Sequence, residues 1–330
     1  MSDSDITIDK PRVSIILPTY KRAHVLPHAI RSVLNQTYTN LELIIVDDNS
    51  PDNTAAVVKS FDDARIRYVK NDPNLKLPRA LNEGFLLARG TYLTWTSDDN
   101  MYADNAIERM VGTLQTGECD FVYTDYYRFA NLDSDSRPLE LKHVRLPGIV
   151  QLERGNHIGG CFLYTRQVLE EIGDYDPELF LVEDYDFFIR VAKRFHMCHI
   201  AEPLYYFRRD DDTLYYSRFC EVKASDFLVR YKNGLINEQV LLDGVVALIL
   251  RNIHGLKNPL LRWSYRAARI SFRLARLHKD ISTAYLRRKI EGSVLAILEQ
   301  YQSKNISFGE AKASLRSLME RLGTIEYSRP

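Results

Sequence analysis

Little in this chain marks it as secreted, membrane-spanning or scaffolded by disulfides. Its four cysteines, Cys119, Cys161, Cys198 and Cys220, are widely spaced and form no Cys-x-x-Cys pair. That argues against a zinc site or a disulfide framework and suits a reducing compartment. Cys161 and Cys198 lie in apolar contexts and read as inert core thiols. No apolar run reaches the roughly 18–20 residues that cross a bilayer. The opening Met-Ser-Asp-Ser-Asp-Ile is polar and acidic, so it does not read as a signal peptide. A cytoplasmic location is the expectation. The eight histidines show no His-x-His pair, and their one His-x-x-x-His spacing, His24 to His28, spans Pro27. His24, His28, His157, His196 and His199 read as packing or surface residues. Internal repeats and low-complexity tracts are missing too.

A net charge of zero hides a segregation. Residues 241–330 hold 16 Lys/Arg against 7 Asp/Glu, and residues 1–240 hold 28 against 37. An acidic front and a basic back imply two jobs. The length allows one large domain with an addition, or two domains. We expect a domain over 1–215 and a basic helical extension over 216–330.

Residues 13–124 alternate apolar runs with helical patterns. The runs are Val13–Leu17, Leu41–Val46, Ile66–Val69, Tyr92–Thr96 and Phe121–Tyr123, with helices predicted near 25–36, 52–61, 79–88 and 103–115. Alternation of this kind builds βαβ units and a largely parallel sheet, whose ligands collect at the carboxyl ends of the strands. Three runs end in polar groups: Thr19-Tyr20, Asp47-Asp48-Asn49-Ser50 and Ser97-Asp98-Asp99-Asn100. Further helices are predicted near 166–172 and from Val182 to about Phe195, and the pattern is almost purely helical beyond 215.

Asp98 and Asp99 stand at the tip of a run that reads as a buried strand. Two adjacent carboxylates lose hydration there and repel each other. Hard oxygen ligands in that place suit Mg²⁺ or Mn²⁺ carrying a diphosphate. The alternative is that both acids cap the next helix.

Val13-Ser-Ile-Ile-Leu-Pro-Thr-Tyr-Lys-Arg22, Ser32-Val-Leu-Asn-Gln-Thr-Tyr38 and Leu41-Glu-Leu-Ile-Ile-Val-Asp-Asp-Asn-Ser50 resemble the opening of family 2 glycosyltransferases. Ser97-Asp98-Asp99-Asn100 resembles that family's DxD-type motif, and Glu183-Asp184 its catalytic Glu-Asp motif. The resemblance covers about residues 12–215. It implies a GT-A fold, an α/β Rossmann-like sheet with helices on both faces, and inversion at the anomeric carbon. It also implies a nucleotide-sugar donor, a UDP-sugar first, and Mn²⁺ or Mg²⁺ as cofactor. Pro18, Thr19, Tyr20 and Arg22 would line the donor site. Tyr20 would lie against the base and Asp48 would accept its N3 proton, the alternative for Asp47-Asp48 being a helix cap. Asp98 would approach the ribose and Asp99 would bind the metal. Arg79, in Leu77-Pro-Arg-Ala-Leu-Asn-Glu-Gly84, would contact nucleotide or phosphate, or else stand exposed on its helix.

Asp184 is the expected general base, because inversion needs a carboxylate on the acceptor side. Glu183 would orient the acceptor. Asp186, about 200° further round a helix, should face away. The alternative for Glu183-Asp184 is favourable charge at a helix N-terminus. One departure concerns the family's Tyr-Arg-x-His segment. Here it is Tyr205-Tyr-Phe-Arg-Arg-Asp-Asp-Asp-Thr-Leu214, which puts Asp210 at the histidine position as a metal ligand, or within a solvated acidic loop.

Arginines at 262, 266, 269, 273 and 276 run beside Trp263, Ala267, Ile270, Leu274 and Leu277. On a helix, these are a basic stripe beside an apolar one. Such a helix suits the anionic inner membrane surface and a lipid-linked glycan acceptor, or else a helical bundle or homodimer contact. Nucleic acid is not expected. Processive relatives carry a Gln-x-x-Arg-Trp motif, whereas Arg262-Trp263 here follows Pro259-Leu-Leu, so one or a few transfers are expected. Two rivals remain. One is a nucleotidyltransferase, for which Pro18-Thr-Tyr-Lys-Arg22 lacks the usual glycine-rich loop. The other is a non-catalytic scaffold with a decayed site.

Overall fold

Strand β1 (Val13–Thr19) is buried at all seven positions. Its period-two faces explain why. Val13, Ile15 and Leu17 point into one apolar layer, while Ile16 meets Gly84 on the other side. A strand covered on both faces needs a continuous apolar run, which Val-Ser-Ile-Ile-Leu supplies. Ser14 is accommodated because its hydroxyl donates to Glu42 Oε1 at 2.6 Å and accepts from the Gly90 amide at 2.8 Å.

The computed structural model describes residues 10–209, 214–255 and 288–321. The chain divides into two compact units, Met1–Asp210 and Asp211–Pro330. The first holds β2 (Leu41–Asp47), β3 (Ile66–Lys70), β4 (Tyr92–Trp95), β5 (Met101–Tyr102), β6 (Phe121–Phe129), β7 (Lys142–Val144), β8 (Phe162–Thr165) and β9 (Met197–Arg208). Among the described residues these strands form one sheet in the order β3-β2-β1-β4-β8-β6-β9-β5, with β7 on β6. Neighbours from β3 to β4 are parallel. Beyond β4 the sheet is mixed: β8 is antiparallel to β4 and β6, and β9 is parallel to β6.

Helices α1 (Leu26–Leu34), α2 (Thr54–Lys59) and α4 (Ala106–Gln115) bury Leu26, Ile30, Val33, Val58, Ile107, Met110 and Leu114 against one face. Helix α3 (Leu77–Leu87) closes the other. There Phe85 stacks on Tyr175, and Tyr175 on Phe187 of α6 (Glu183–Ala192). Phe188 meets Phe121 and Phe162 edge-on. Helix α5 (Arg166–Ile172) follows β8 directly. The expected GT-A architecture, with helices on both faces of an α/β sheet, is the one observed.

The second unit is helical throughout its described part: α7 (Leu214–Ser217), α8 (Phe219–Lys232), α9 (Glu238–Gly255), α10 over 288–302 and α11 (Phe308–Arg321). Gly244 lets α9 lie against the ring of Phe227, where a Cβ would sit 2.1 Å from Phe227 Cε1. Among the described residues no helix is long and apolar enough to cross a membrane. The basic stripe over 262–277 and the Arg262-Trp263 pair lie outside the described residues.

One expectation about the cysteines is corrected. Cys119, before β6, and Cys198, at the start of β9, are joined as a disulfide, so Cys198 is not an inert core thiol. The parallel β6–β9 pairing sets Phe121 opposite Met197 and Val122 opposite Cys198, which brings residues 79 apart in sequence together. Cys161 is a buried free thiol, as expected.

The Gly84 contact gives a stability test. A Cβ there would lie 2.3 Å from Ile16 Cγ2 and 3.2 Å from Val46 Cγ2. Gly84→Ala is therefore expected to destabilise by about 1–3 kcal/mol. Gly112 on α4 has nothing within 4 Å of its Cβ position, and Gly112→Ala should stabilise by about 0.5–1 kcal/mol. Urea midpoints at unchanged m-value would report both.

Candidate active site

The parallel register sets Thr19 beside Asp47 and Ile16 beside Trp95, so the carboxyl ends of β1, β2 and β4 share one edge. Side chains complete the link. Thr19 Oγ1 donates to Asp98 Oδ2 at 2.7 Å. Arg22 Nη2 donates to Asp99 Oδ2 at 2.6 Å, and its Nε lies 3.9 Å from Asp98 Oδ1. These side chains are largely enclosed, at 13% exposure for Asp98 and 11% for Asp99.

Neither carboxylate caps a helix. Strand β5 follows at once, and α4 begins at Ala106 without a side-chain cap. The Ile107 amide donates instead to Gln36 Oε1 at 2.9 Å. Burial first, then the charge of Asp99, pushes the Asp98 carboxyl up to about 7. Burial also raises Asp99, against the opposing pull of Arg22.

The second acidic pair divides its work. Asp47 is structural: its Oδ1 accepts from the Ser50 amide at 2.7 Å and its Oδ2 from the Tyr68 hydroxyl at 2.6 Å. Asp48 faces the segment before α3. Its Oδ1 accepts from Asn71 Nδ2 and the Leu75 amide, and its Oδ2 from the Lys76 amide at 2.9 Å. Oδ2 therefore keeps acceptor capacity for one further donor. Helix α2 begins at Thr54, whose amide is met by Asp52, so Asp47 and Asp48 cap nothing.

Pro18 and Thr19 are buried at the end of β1. Tyr20 is 42% exposed, with Lys21 Nζ 5.0 Å from its ring centroid. Arg79 is exposed in the first turn of α3. Arg22, not Arg79, reaches the Asp98-Asp99 pair.

Glu183 and Asp184 open α6, so their charges also favour its N-terminus. Glu183 is buried and Asp184 half-buried. Asn156 Nδ2 donates to Asp184 Oδ2 at 3.0 Å, and the Tyr185 amide donates to Oδ1 at 2.7 Å. Asp186 is engaged elsewhere, accepting from Arg190 Nε at 2.7 Å. Trp95 Nε1 donates to the Tyr175 hydroxyl at 3.1 Å. Tyr175 also stacks on Phe187 of α6, so this one residue touches both the end of β4 and α6.

Asn156 was not legible in the sequence, where it sits 28 positions from Asp184. Its loop is anchored by a second cluster missed for the same reason. Asp125 accepts from the Leu146 amide at 2.8 Å, and His143 Nε2 and His199 Nε2 each lie 2.8 Å from one of its oxygens. Burial pushes the Asp125 carboxyl up, but these hydrogen bonds together outweigh it and hold it below the usual range. His199 is therefore a partner of a buried acid. Asp210 lies outside the described residues.

Residues 14–173 match the family model described as Glycosyl transferase family 2. The chain is 31% identical over 188 residues to the putative colanic acid biosynthesis glycosyl transferase WcaA of Escherichia coli K12, covering 56% of this chain and 67% of that protein. The chain belongs to glycosyltransferase family 2.

An uncharacterized glycosyltransferase of Rickettsia felis is 32% identical over 233 residues, 68% of this chain. The chain spans only 36% of that relative's length. WfgD of Escherichia coli, named a UDP-Glc:alpha-D-GlcNAc-diphosphoundecaprenol beta-1,3-glucosyltransferase, is 34% identical over 119 residues, 36% of this chain and 47% of that one. Two solved structures share the fold. Staphylococcus aureus TarS 1–349 in complex with UDP-GlcNAc superposes with a TM-score of 0.51 at 14% identity, over 96% of this chain and 93% of that one. The Pyrobaculum calidifontis mannosyltransferase PcManGT in complex with GDP-Man and Mn²⁺ superposes with a TM-score of 0.54 at 15% identity, over 96% and 88%.

The raised Asp98 carboxyl sets a pH dependence. Its folded value of about 7 lies above the ordinary 3.8, so the folded state holds the extra proton between the two. Stability from this group is full below the lower value and is lost as pH rises through the upper one. With cations removed by chelator, Asp98→Asn should melt above wild type at pH 8, and the gap should close towards pH 4. A gap that is constant with pH would show that Asp98 carries no raised pKa.

Proposed function

We propose that the chain is a metal-dependent, inverting, non-processive glycosyltransferase that moves a sugar from a nucleoside-diphosphate donor to a hydroxyl of a glycan. One observation carries this reading: two enclosed, adjacent carboxylates at the end of β4, spanned by one guanidinium, in a unit whose α6 opens on a third carboxylate held by Asn156. A cation would sit on the first pair and a proton acceptor on the acceptor side.

The pair fits Mg²⁺ or Mn²⁺. Such ions bind through one or two carboxylates together with substrate phosphates and water, not through an all-protein cage. Among the described residues no group of three His, Cys, Asp or Glu gathers to form such a cage. Asp99 would hold the cation, with Asp98 towards the ribose and Asp210 proposed as a further ligand. When bound, the cation supplies Lewis-acid stabilisation of the leaving diphosphate.

The protein's own groups do the rest. The exposed ring of Tyr20 offers a stacking face for the base. Asp48 Oδ2, with one donor from Lys76, accepts the N3 proton of a uracil-like base. Pro18 and Thr19 form the floor, and Arg22 and Arg79 supply positive charge to the phosphates. Asp184 takes the proton of the acceptor hydroxyl as its oxygen bonds to the anomeric carbon and the carbon–phosphate-oxygen bond breaks. Glu183, buried beside it, supports acceptor orientation. Asn156 keeps the Asp184 carboxylate turned to the cleft.

A UDP-sugar is the first choice of donor. Two similar proteins named with UDP-sugars support it, and one with GDP-Man marks the rival. The printed names of WcaA and WfgD support a polysaccharide setting and a glycan or lipid-linked glycan acceptor. We propose the division at about 215 as a catalytic domain followed by a basic extension that serves acceptor, inner-membrane or homodimer contact.

A thermal-shift panel of UDP, GDP, dTDP and CDP with and without Mn²⁺ tests the donor site. One nucleotide should raise the melting temperature, and only with metal. No rise with any nucleotide would favour a non-catalytic scaffold. For the base, Asp184→Asn should cut transfer by about 10²–10⁴-fold while leaving nucleotide binding intact. Asn156→Ala should lower kcat roughly tenfold, with KM for the donor unchanged. Full activity in Asp184→Asn would remove it from the reaction.

A further inference from the structure

Arg22 stands on Asp99 in a way that bears on how a cation reaches the pair. Its Nη2 lies 2.6 Å from Asp99 Oδ2, and its Nε lies 3.9 Å from Asp98 Oδ1. One guanidinium thus spans both carboxylates. Its side chain is only 16% exposed, so the contact is poorly screened. A divalent cation on Asp99 would share that carboxylate, within repulsive range of the guanidinium.

The backbone of Arg22 is pinned, so only its side chain can yield. Its carbonyl accepts from the Val25 and Leu26 amides at 3.0 and 3.1 Å, opening α1. The preceding Lys21 has φ of 59°, and its amide donates to Ser50 Oγ at 3.1 Å. The strand-to-helix turn therefore holds the Cα of Arg22 at the carboxylate edge. A planar guanidinium matches carboxylate and phosphate oxygens equally well. Moving from one to the other needs a side-chain rotation about a fixed anchor.

We infer that Arg22 is an internal counter-ion that competes with the divalent cation for Asp99, so that the cation is held well only when a nucleoside diphosphate arrives to receive the guanidinium. This deepens the donor-site reading above and rests on it. Without diphosphate, cation and guanidinium crowd one carboxylate pair. With diphosphate, its oxygens join the cation's coordination shell and offer Arg22 a second anion. Arg22 is thus a positioning residue that couples the binding of cation and donor.

The test is Mn²⁺ binding to the full chain, followed by the spin-resonance signal of free Mn²⁺, with and without saturating UDP. Wild type should bind Mn²⁺ weakly alone and more tightly with UDP. Arg22→Gln should bind Mn²⁺ alone about tenfold more tightly than wild type, and UDP should remove that advantage. Arg22→Lys, which keeps the charge, should stay close to wild type. Equal or weaker Mn²⁺ binding by Arg22→Gln in the absence of UDP overturns the inference. UDP that fails to bind wild type in the presence of Mn²⁺ contradicts the donor-site reading itself, whatever the variants do.

Should Arg22→Gln not fold, the side-chain nitrogen resonance of Arg22 decides, assigned by its loss in Arg22→Lys. It should shift when Mg²⁺ and UDP are added together. A resonance unmoved by both overturns the inference.

Discussion

Repulsion between two adjacent, enclosed carboxylates governs the carboxyl edge of the parallel part of this sheet. Asp98 and Asp99 cannot both ionise cheaply where they stand, and the guanidinium of Arg22 is the positive charge that faces both. The surroundings follow from that need. Thr19 donates to one acid and Arg22 to the other. Both come from the end of β1, which reaches them because β1 and β4 run parallel and in register. Parallel pairing in turn requires buried strands and crossover helices. The apolar run of β1 and the close approach of α3 at Gly84 provide these.

The other acids in the unit illustrate how context separates structural from chemical roles. Asp47, Asp125 and Asp186 are buried and met by donors: a turn amide and a phenol, two imidazoles and a loop amide, and a guanidinium. Each holds backbone in place. Asp48 and Asp184, for which we propose chemical roles, are positioned by donors as well: Asn71 and the Leu75 and Lys76 amides for the first, Asn156 and the Tyr185 amide for the second. Asp125 matters to the site at one remove, because it secures the start of the loop that delivers Asn156 to Asp184.

Much of this was readable in advance where the signal is local. The five apolar runs of residues 13–124 became β1, β2, β3, β4 and β6, and the polar tips of β1, β2 and β4 do share an edge. What escaped reading is contact between distant segments. Nothing near Asn156 announces Asp184, and nothing near Cys119 announces Cys198, because the β6–β9 register alone brings the cysteines together. His199 read as packing because its partner, Asp125, sits on another strand. Composition likewise separated an acidic α/β part from a basic helical part but could not assign a task to the helices.

The most direct test of the account is whether a manganese ion held by this chain touches both Asp99 and the donor's diphosphate. Spin-resonance measurement of phosphorus hyperfine coupling to Mn²⁺, with UDP bound, reads that contact. The account predicts phosphorus coupling in wild type and its loss in Asp99→Asn. UDP bound with undiminished affinity in the presence of chelator, and with no phosphorus coupling when Mn²⁺ is restored, would contradict it.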